Sequence, residues 1–345
     1  MERSVRTASL TGLMLKLNRV CVPLNLDCNL HCRYCYRDKE KLDEVPEFTD
    51  DMKKYLGTLR PSFCESVIAS GGEPLLHFDK VKELFSYVPK DVHKKVMSNC
   101  TLITQEIVDY LNENDVELQL SHDGKMTKFL RGVDVLANPK TRDLLRQVNI
   151  IRCFGVVTKY NTDCLENYFD TVTKLDRIDV QYDSLPLCDV PQQHDLVEGF
   201  DYEQWFRTWM MVRLNPYRYQ LPWYDGLTLT DESTNYSGRF FGFNVLPNGT
   251  ICGMINVCSV YGSIHSKSRE ELIANVVNSG DMDYCIKTNC KFKDNCQFSP
   301  QGLSPHICTW RKMIMERWTE DKVLEVHNYV MEHWNEIKEK YGYKG

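Results

Sequence analysis

Residues 20–38 read VCVPLNLDCNLHCRYCYRD. The apolar, strand-forming run VCVPLNL ends at Leu26, and Cys28, Cys32 and Cys35 follow within eight residues. Three thiols on one tight loop just past a strand are the strongest chemical signal in the chain, because thiolate binds both iron-sulfur clusters and structural zinc. Three sulfurs suffice for three irons of a four-iron cube. Zinc requires a fourth ligand, for which His31 is at hand, but zinc sites usually arrive as two spaced cysteine pairs.

Beyond the loop a pattern repeats. Strands are expected at 20–26, 66–70, 95–99, 116–121, 149–158 and 178–187, with helical stretches between them at 49–58, 79–88, 104–114, 125–146 and 163–174. Thr49, Thr104 and Asp163 stand where N-caps belong. Strand and helix alternating about six times imply parallel strands with right-handed crossovers, hence an α/β fold, a partial (β/α)6 TIM-like barrel whose chemistry sits at the C-terminal strand ends. From 189 the pattern breaks. Trp205 and Trp209 are spaced for one helical face, with Arg207, Arg213 and Arg218 among the aromatics, which reads as a helix and loop covering the sheet; a substrate-contacting lid is the alternative. FFGFNVLPNGTICGM (240–254) reads as two strands joined at Asn248-Gly249. A cysteine-rich, loop-like stretch runs to Cys308. One C-terminal helix is expected from Thr309, with Trp310, Ile314, Trp318, Val326, Val330 and Trp334 as its buried stripe. The resulting division is a barrel over 1–188, a bridging or lid region over 189–239, a cysteine-rich extension over 240–308 and the helix over 309–345.

Fifteen cysteines, an odd number in a chain without an export signal, argue against a full disulfide framework and for metal. A net charge of −6 argues against a broad nucleic-acid-binding face. No apolar run approaches the ~20 residues that span a bilayer, so a cytoplasmic location is expected.

The triplet, with aromatic Tyr34 before its last cysteine, resembles the signature of the radical S-adenosylmethionine (SAM) superfamily. The resemblance implies a [4Fe-4S] cluster on Cys28, Cys32 and Cys35 with one iron open to SAM, and a 5′-deoxyadenosyl radical that takes hydrogen from an unactivated carbon. It extends along the chain. Gly71-Gly72-Glu73-Pro74, after the second strand, is similar to the family's SAM-amino-binding loop. Ser98-Asn99 ends the third strand where relatives carry Ser-Asn-Gly, with Cys100 in place of the glycine. Ser121-His122-Asp123-Gly124 ends the fourth and resembles the Ser-x-Asp-Gly motif of the peptide- and protein-modifying branch, with Arg131 matching a downstream arginine. The implied cofactor contacts are Tyr34, Tyr36, Gly71, Gly72, Glu73, Pro74, Ser98, Asn99, Ser121 and Asp123; for Ser121 and Asp123 a turn and helix cap is the plainer reading.

The later cysteines resemble the SPASM/twitch extension that carries auxiliary iron-sulfur clusters. Cys252 and Cys258 match its opening pair, and Cys285, Cys290, Cys296 and Cys308 its later group, although four residues separate Cys285 from Cys290 where the family usually has two, and two further cysteines of the full pattern are absent. At least one auxiliary [4Fe-4S] cluster is expected, most simply on Cys285, Cys290, Cys296 and Cys308; structural zinc is the competitor. Cys188 and Cys100, at strand ends, are positioned to return a hydrogen atom, with a structural thiol as the alternative. Asp183, alternating with apolar residues in the sixth strand, is a candidate base or substrate anchor, or else a hydrogen-bonded core carboxylate.

The expected activity is oxidative modification or cross-linking of a peptide or protein side chain, as in ribosomal-peptide maturases. Alternatives are a twitch-type enzyme acting on a sugar alcohol or nucleotide, an anaerobic sulfatase-maturase-like enzyme, and a non-enzymatic metal-stabilised binding module. About 27 residues precede Cys28, too few for a winged-helix leader-recognition domain, so a peptide substrate is expected to need a separate leader-recognition protein or direct recognition by the barrel. An electron donor such as flavodoxin or ferredoxin completes the expected partners.

Overall fold

The computed structural model describes residues 17, 19–35, 45–187, 191–217, 243–253, 260–267, 269–278 and 305–343. Six parallel strands follow the sequence order across one sheet: β1 (Arg19–Pro23), β2 (Ser66–Ser70), β3 (His93–Ser98), β4 (Val116–Ser121), β5 (Ile151–Val157) and β6 (Gln181–Pro186). Each neighbour pair is joined through a helix, the connection that parallel strands require. These are α1 (Asp50–Thr58), α2 (Phe78–Ser86), α3 (Gln105–Glu113), α4 (Thr127–Arg131) and α5 (Pro139–Arg146) between β4 and β5, and α6 (Cys164–Leu175). The architecture is the partial α/β barrel.

The caps explain where helices start. Thr49 accepts from Met52 N, Thr104 from Ile107 N and Asp163 from Glu166 N, each satisfying an orphan amide of the first turn. The single helix expected over 125–146 is instead two. Gly132 takes a left-handed conformation at φ 85° and stops α4, and Asn138 with Pro139 starts α5 afresh.

The sheet does not end at β6 and β1. Beside β1 lies a second parallel neighbour, β7 (Phe243–Val245), paired through Cys21 and Asn244, followed antiparallel by β8 (Thr250–Gly253) and β9 (Val260–Ser263). Nine strands therefore form one sheet among the described residues. The β7–β8 turn closes through Gly249 N to Leu246 O at 2.8 Å, with Gly249 at φ 83°, a conformation that favours glycine.

α7 (Tyr202–Arg213) covers the barrel: Trp205 and Trp209 are buried and Trp205 meets Trp310 edge-on. α8 (Arg269–Asn278) packs beside β9. The expected C-terminal helix also divides, into α9 (Pro305–Arg317) and α10 (Glu320–Lys340). Thr319 caps the second by accepting from Lys322 N, which is why a new helix begins there. Of the expected stripe, Trp310, Ile314, Trp318, Val330 and Trp334 are buried, and Val326 packs partly buried against the core. Trp334 and Tyr341 lie against Phe169 of α6, closing the helical layer. No helix among the described residues is long and apolar enough to cross a membrane.

Candidate active site

The C-terminal ends of β1 to β4 hold the cysteine triplet with Tyr34, the Gly71–Pro74 loop, Ser98, Asn99, Ser121 and Asp123, and buried hydrogen bonds join several of them. Gly71 and Gly72 lie against the backbone just beyond β1: a Cβ on Gly71 would meet Asn25 O at 2.6 Å, and one on Gly72 would collide with the Asp27 carbonyl. Glycine is thus required for the approach of two loops of the chain itself. Gly72 N donates to Asn25 O (3.0 Å) and Glu73 N to Asp27 O (2.7 Å), which fixes the glycine loop to the segment that leads into Cys28.

Glu73 is 1% exposed. Its Oε1 accepts from Leu75 N (3.1 Å) and Ser98 Oγ (2.7 Å), and its Oε2 from Asn99 N (2.8 Å). Burial raises its carboxyl pKa, with the three donors pulling the other way. Three of its roughly four acceptor positions are therefore spent within the protein, and one on Oε2 remains. Pro74 follows, buried with Leu75 at the start of a single-turn helix whose Leu76 and His77 are exposed. Asn99 carries the connection back to the cysteines: its Nδ2 donates to Asn29 Oδ1 at 3.0 Å and lies 3.9 Å from Cys28 Sγ.

Asp123 is wholly buried. It accepts from Tyr34 Oη (2.6 Å), Arg131 Nε (2.7 Å), Arg131 Nη2 (3.1 Å) and Val156 N (2.8 Å). Both oxygens are thus engaged by protein donors, and the side chain makes no helix-cap hydrogen bond. It ties the cysteine loop to β5. Arg131, noticed in the sequence only as a motif match, is the counter-ion that makes the burial affordable; an unpaired buried carboxylate is strongly disfavoured. Ser121 is half-buried at the end of β4.

Cys28 and Cys32 are half-buried, Cys35 is exposed, and all three are free thiols. Burial, reinforced by the neighbouring Cys35 and Cys28, pushes Cys32 up to about 11, while Arg131 opposes the shift. Among the described residues no three His, Cys, Asp or Glu side chains converge to hold a single metal ion. Three free thiols carried on one loop supply the ligand type and number that three irons of a four-iron cube take.

Other expected residues fall elsewhere. Cys100 is buried in the core at φ 57°, the left-handed conformation that glycine would adopt without cost. Asp183 lies between Arg152 Nη1 and Arg213 Nη1, both at 3.1 Å. It belongs to a chain of charges that continues from Arg152 to Glu117 (3.2 Å) and on to Lys95 (3.9 Å). The register aligns Lys95 with Glu117, and these strand charges share a face by two-residue alternation, a pattern present in the sequence although its pairings were not. Cys252 is buried in β8 with its thiol toward Asn244 O, and Cys308 is half-buried in α9. Tyr36, Cys188, Cys258, Cys285, Cys290 and Cys296 lie outside the described residues.

Residues 22–163 match the family model of the radical SAM superfamily. An uncharacterised protein of Methanocaldococcus jannaschii is 27% identical over 154 residues, covering 41% of this chain and 53% of the relative; the chain thus spans about half of that protein's length. Among solved structures, native anSMEcpe with bound AdoMet and Kp18Cys peptide is similar at a TM-score of 0.62 and 17% identity, over 91% of this chain and 99% of that one. SuiB of Streptococcus suis bound to S-adenosylmethionine is similar at 0.52 and 17%, over 68% and 60%. At these identities the likeness is one of fold.

Proposed function

We propose that this chain, whose residues 22–163 match the radical SAM family model, cleaves S-adenosylmethionine reductively and oxidises or cross-links a side chain of a peptide or protein. The observation that carries this reading is the convergence of the cysteine loop, the glycine loop and the β3 and β4 ends on one face, joined by Glu73, Asn99 and Asp123. When bound, the cluster supplies the electron that releases a 5′-deoxyadenosyl radical from SAM. Cys28, Cys32 and Cys35 hold it in this reading. Glu73 orders the β2 and β3 ends and offers its remaining Oε2 position to a donor such as the SAM amino group. Ser121, whose hydroxyl faces no partner among the described residues, is available to a ligand.

Asp183, with both oxygens on guanidinium groups, serves as an anchor within the charged face rather than as a base. Cys252 and Cys308, with Cys258, Cys285, Cys290 and Cys296, are proposed to hold at least one auxiliary cluster. A flavodoxin- or ferredoxin-like donor supplies electrons. Support for a peptide substrate comes from the similar fold of anSMEcpe, solved with a peptide bound.

The test is deuterium transfer. Peptide and small-molecule fractions from cells grown in deuterated medium are incubated with reduced enzyme and SAM, and 5′-deoxyadenosine is analysed by mass spectrometry. Deuterium arriving from the peptide fraction supports the proposal; deuterium from the small-molecule fraction alone moves the enzyme to sugar alcohols or nucleotides.

A further inference from the structure

The Cys32–Cys35 half of the loop has no regular structure of its own, so its position must come from what it touches. Among the described residues its hydrogen bonds to other elements run to α4 and to Asp123 just past β4. Arg33 N donates to Leu130 O at 2.8 Å, and the Arg33 guanidinium lies 4.1 Å from the Phe129 ring centre. Tyr34 is 6% exposed and packs with Leu130, Leu187, Leu196 and Val197, with Cys32 against the same cluster. Its hydroxyl donates to Asp123 at 2.6 Å, and the Arg131 guanidinium stands 5.2 Å from its ring centre.

Asp123 has about four acceptor positions, and Arg131 takes two, Val156 N one and Tyr34 the last. Of these donors Tyr34 alone belongs to the cysteine loop. The buried ion pair is thus built into the barrel from α4 and β5, and a single phenol couples it to the metal-binding segment.

We propose that Tyr34, Asp123 and Arg131 form a clasp that sets the position of the Cys32–Cys35 segment, with the Tyr34 hydroxyl as its positioning group. The proposal rests on the reading of the triplet as the cluster site. A hydrogen bond to a charged acceptor is short and strong, and in a buried setting it holds geometry as well as energy. The phenyl ring alone fills the apolar pocket but leaves the loop free to shift along it. Tyr34→Phe therefore separates packing from positioning.

The experiment compares reconstituted wild type, Tyr34→Phe and Tyr168→Phe. Tyr168 is a control of the same kind: a buried tyrosine whose hydroxyl donates to Ile178 O at 2.9 Å, in contact with neither the loop nor the ion pair. Loss of iron to a chelator is followed by absorbance, and the reduced cluster by electron paramagnetic resonance. The clasp predicts that Tyr34→Phe releases SAM-cluster iron about tenfold faster, as expected for one lost charge-assisted bond, with a broadened resonance, while Tyr168→Phe matches wild type. Equal rates in all three, or equal acceleration in both variants, overturn the clasp. Asp123→Asn should reproduce the Tyr34→Phe resonance if it folds; should it fail to fold, Tyr34→Phe still decides. Replacing Cys28, Cys32 and Cys35 together by Ala must remove one cluster; full retention of iron there removes the cluster reading itself, and the clasp with it.

Discussion

Glu73→Ala removes an acceptor that three buried donors share. Leu75 N, Ser98 Oγ and Asn99 N, at 3.1, 2.7 and 2.8 Å from the carboxylate, would be left facing a small cavity instead of an anion. A buried donor stranded in this way costs about 1–3 kcal/mol, and the three are not additive because Ser98 can turn its hydroxyl elsewhere. The expected destabilisation is about 3–5 kcal/mol. Glu73→Gln keeps the shape and one oxygen, so Leu75 and Ser98 stay partnered while the new amide confronts Asn99 N; about 1–2 kcal/mol is expected. Urea unfolding of the metal-free proteins measures both, and SAM titration of the reconstituted proteins measures the site. Affinity should fall roughly tenfold or more in Glu73→Ala, partly through displacement of Asn99. A residue acting only by touching SAM would leave metal-free stability unchanged, so a Glu73→Ala loss below about 1 kcal/mol refutes the reasoning.

Cys100→Gly relieves the left-handed backbone while giving up thiol burial, so its unfolding free energy should stay within about 1 kcal/mol of wild type; Cys100→Val, β-branched at φ 57°, should cost about 2 kcal/mol or more in the same assay. Burial, aided by Lys95 and opposed by Glu117, lowers His93 to about 4. The unfolded chain then binds the extra proton first, so this contribution to stability is present above about pH 6.5 and is lost as pH falls towards 4; His93→Gln should flatten that limb in pH-dependent unfolding. Anaerobic reconstitution should give about eight irons, four for each of two clusters; about four with stoichiometric zinc would assign the later cysteines to a structural zinc site.

How much was legible varied with the range of the interaction. Local signals carried far: the cysteine loop after β1, the caps Thr49, Thr104 and Asp163, and the Asn248-Gly249 turn all stand where the sequence places them. The stretch expected as one helix over 125–146 is divided by Gly132, which ends α4, and by Asn138 and Pro139, which start α5. Long-range pairings left no local trace. Nothing in Phe243–Val245 announces a parallel partner in β1, and the charge chain from Lys95 to Arg213 needs the strand register before any of its members has a partner. Asp123 is the clearest case: a turn motif in sequence becomes a buried hub because a five-residue helix brings Arg131 back onto it.

The central claim is that Cys28, Cys32 and Cys35 hold the cluster that cleaves SAM. Reduced, reconstituted enzyme supplied with SAM and dithionite should form 5′-deoxyadenosine, quantified by chromatography, and the protein with all three cysteines replaced by Ala should form none while keeping its auxiliary iron. Equal 5′-deoxyadenosine from that variant would contradict the account.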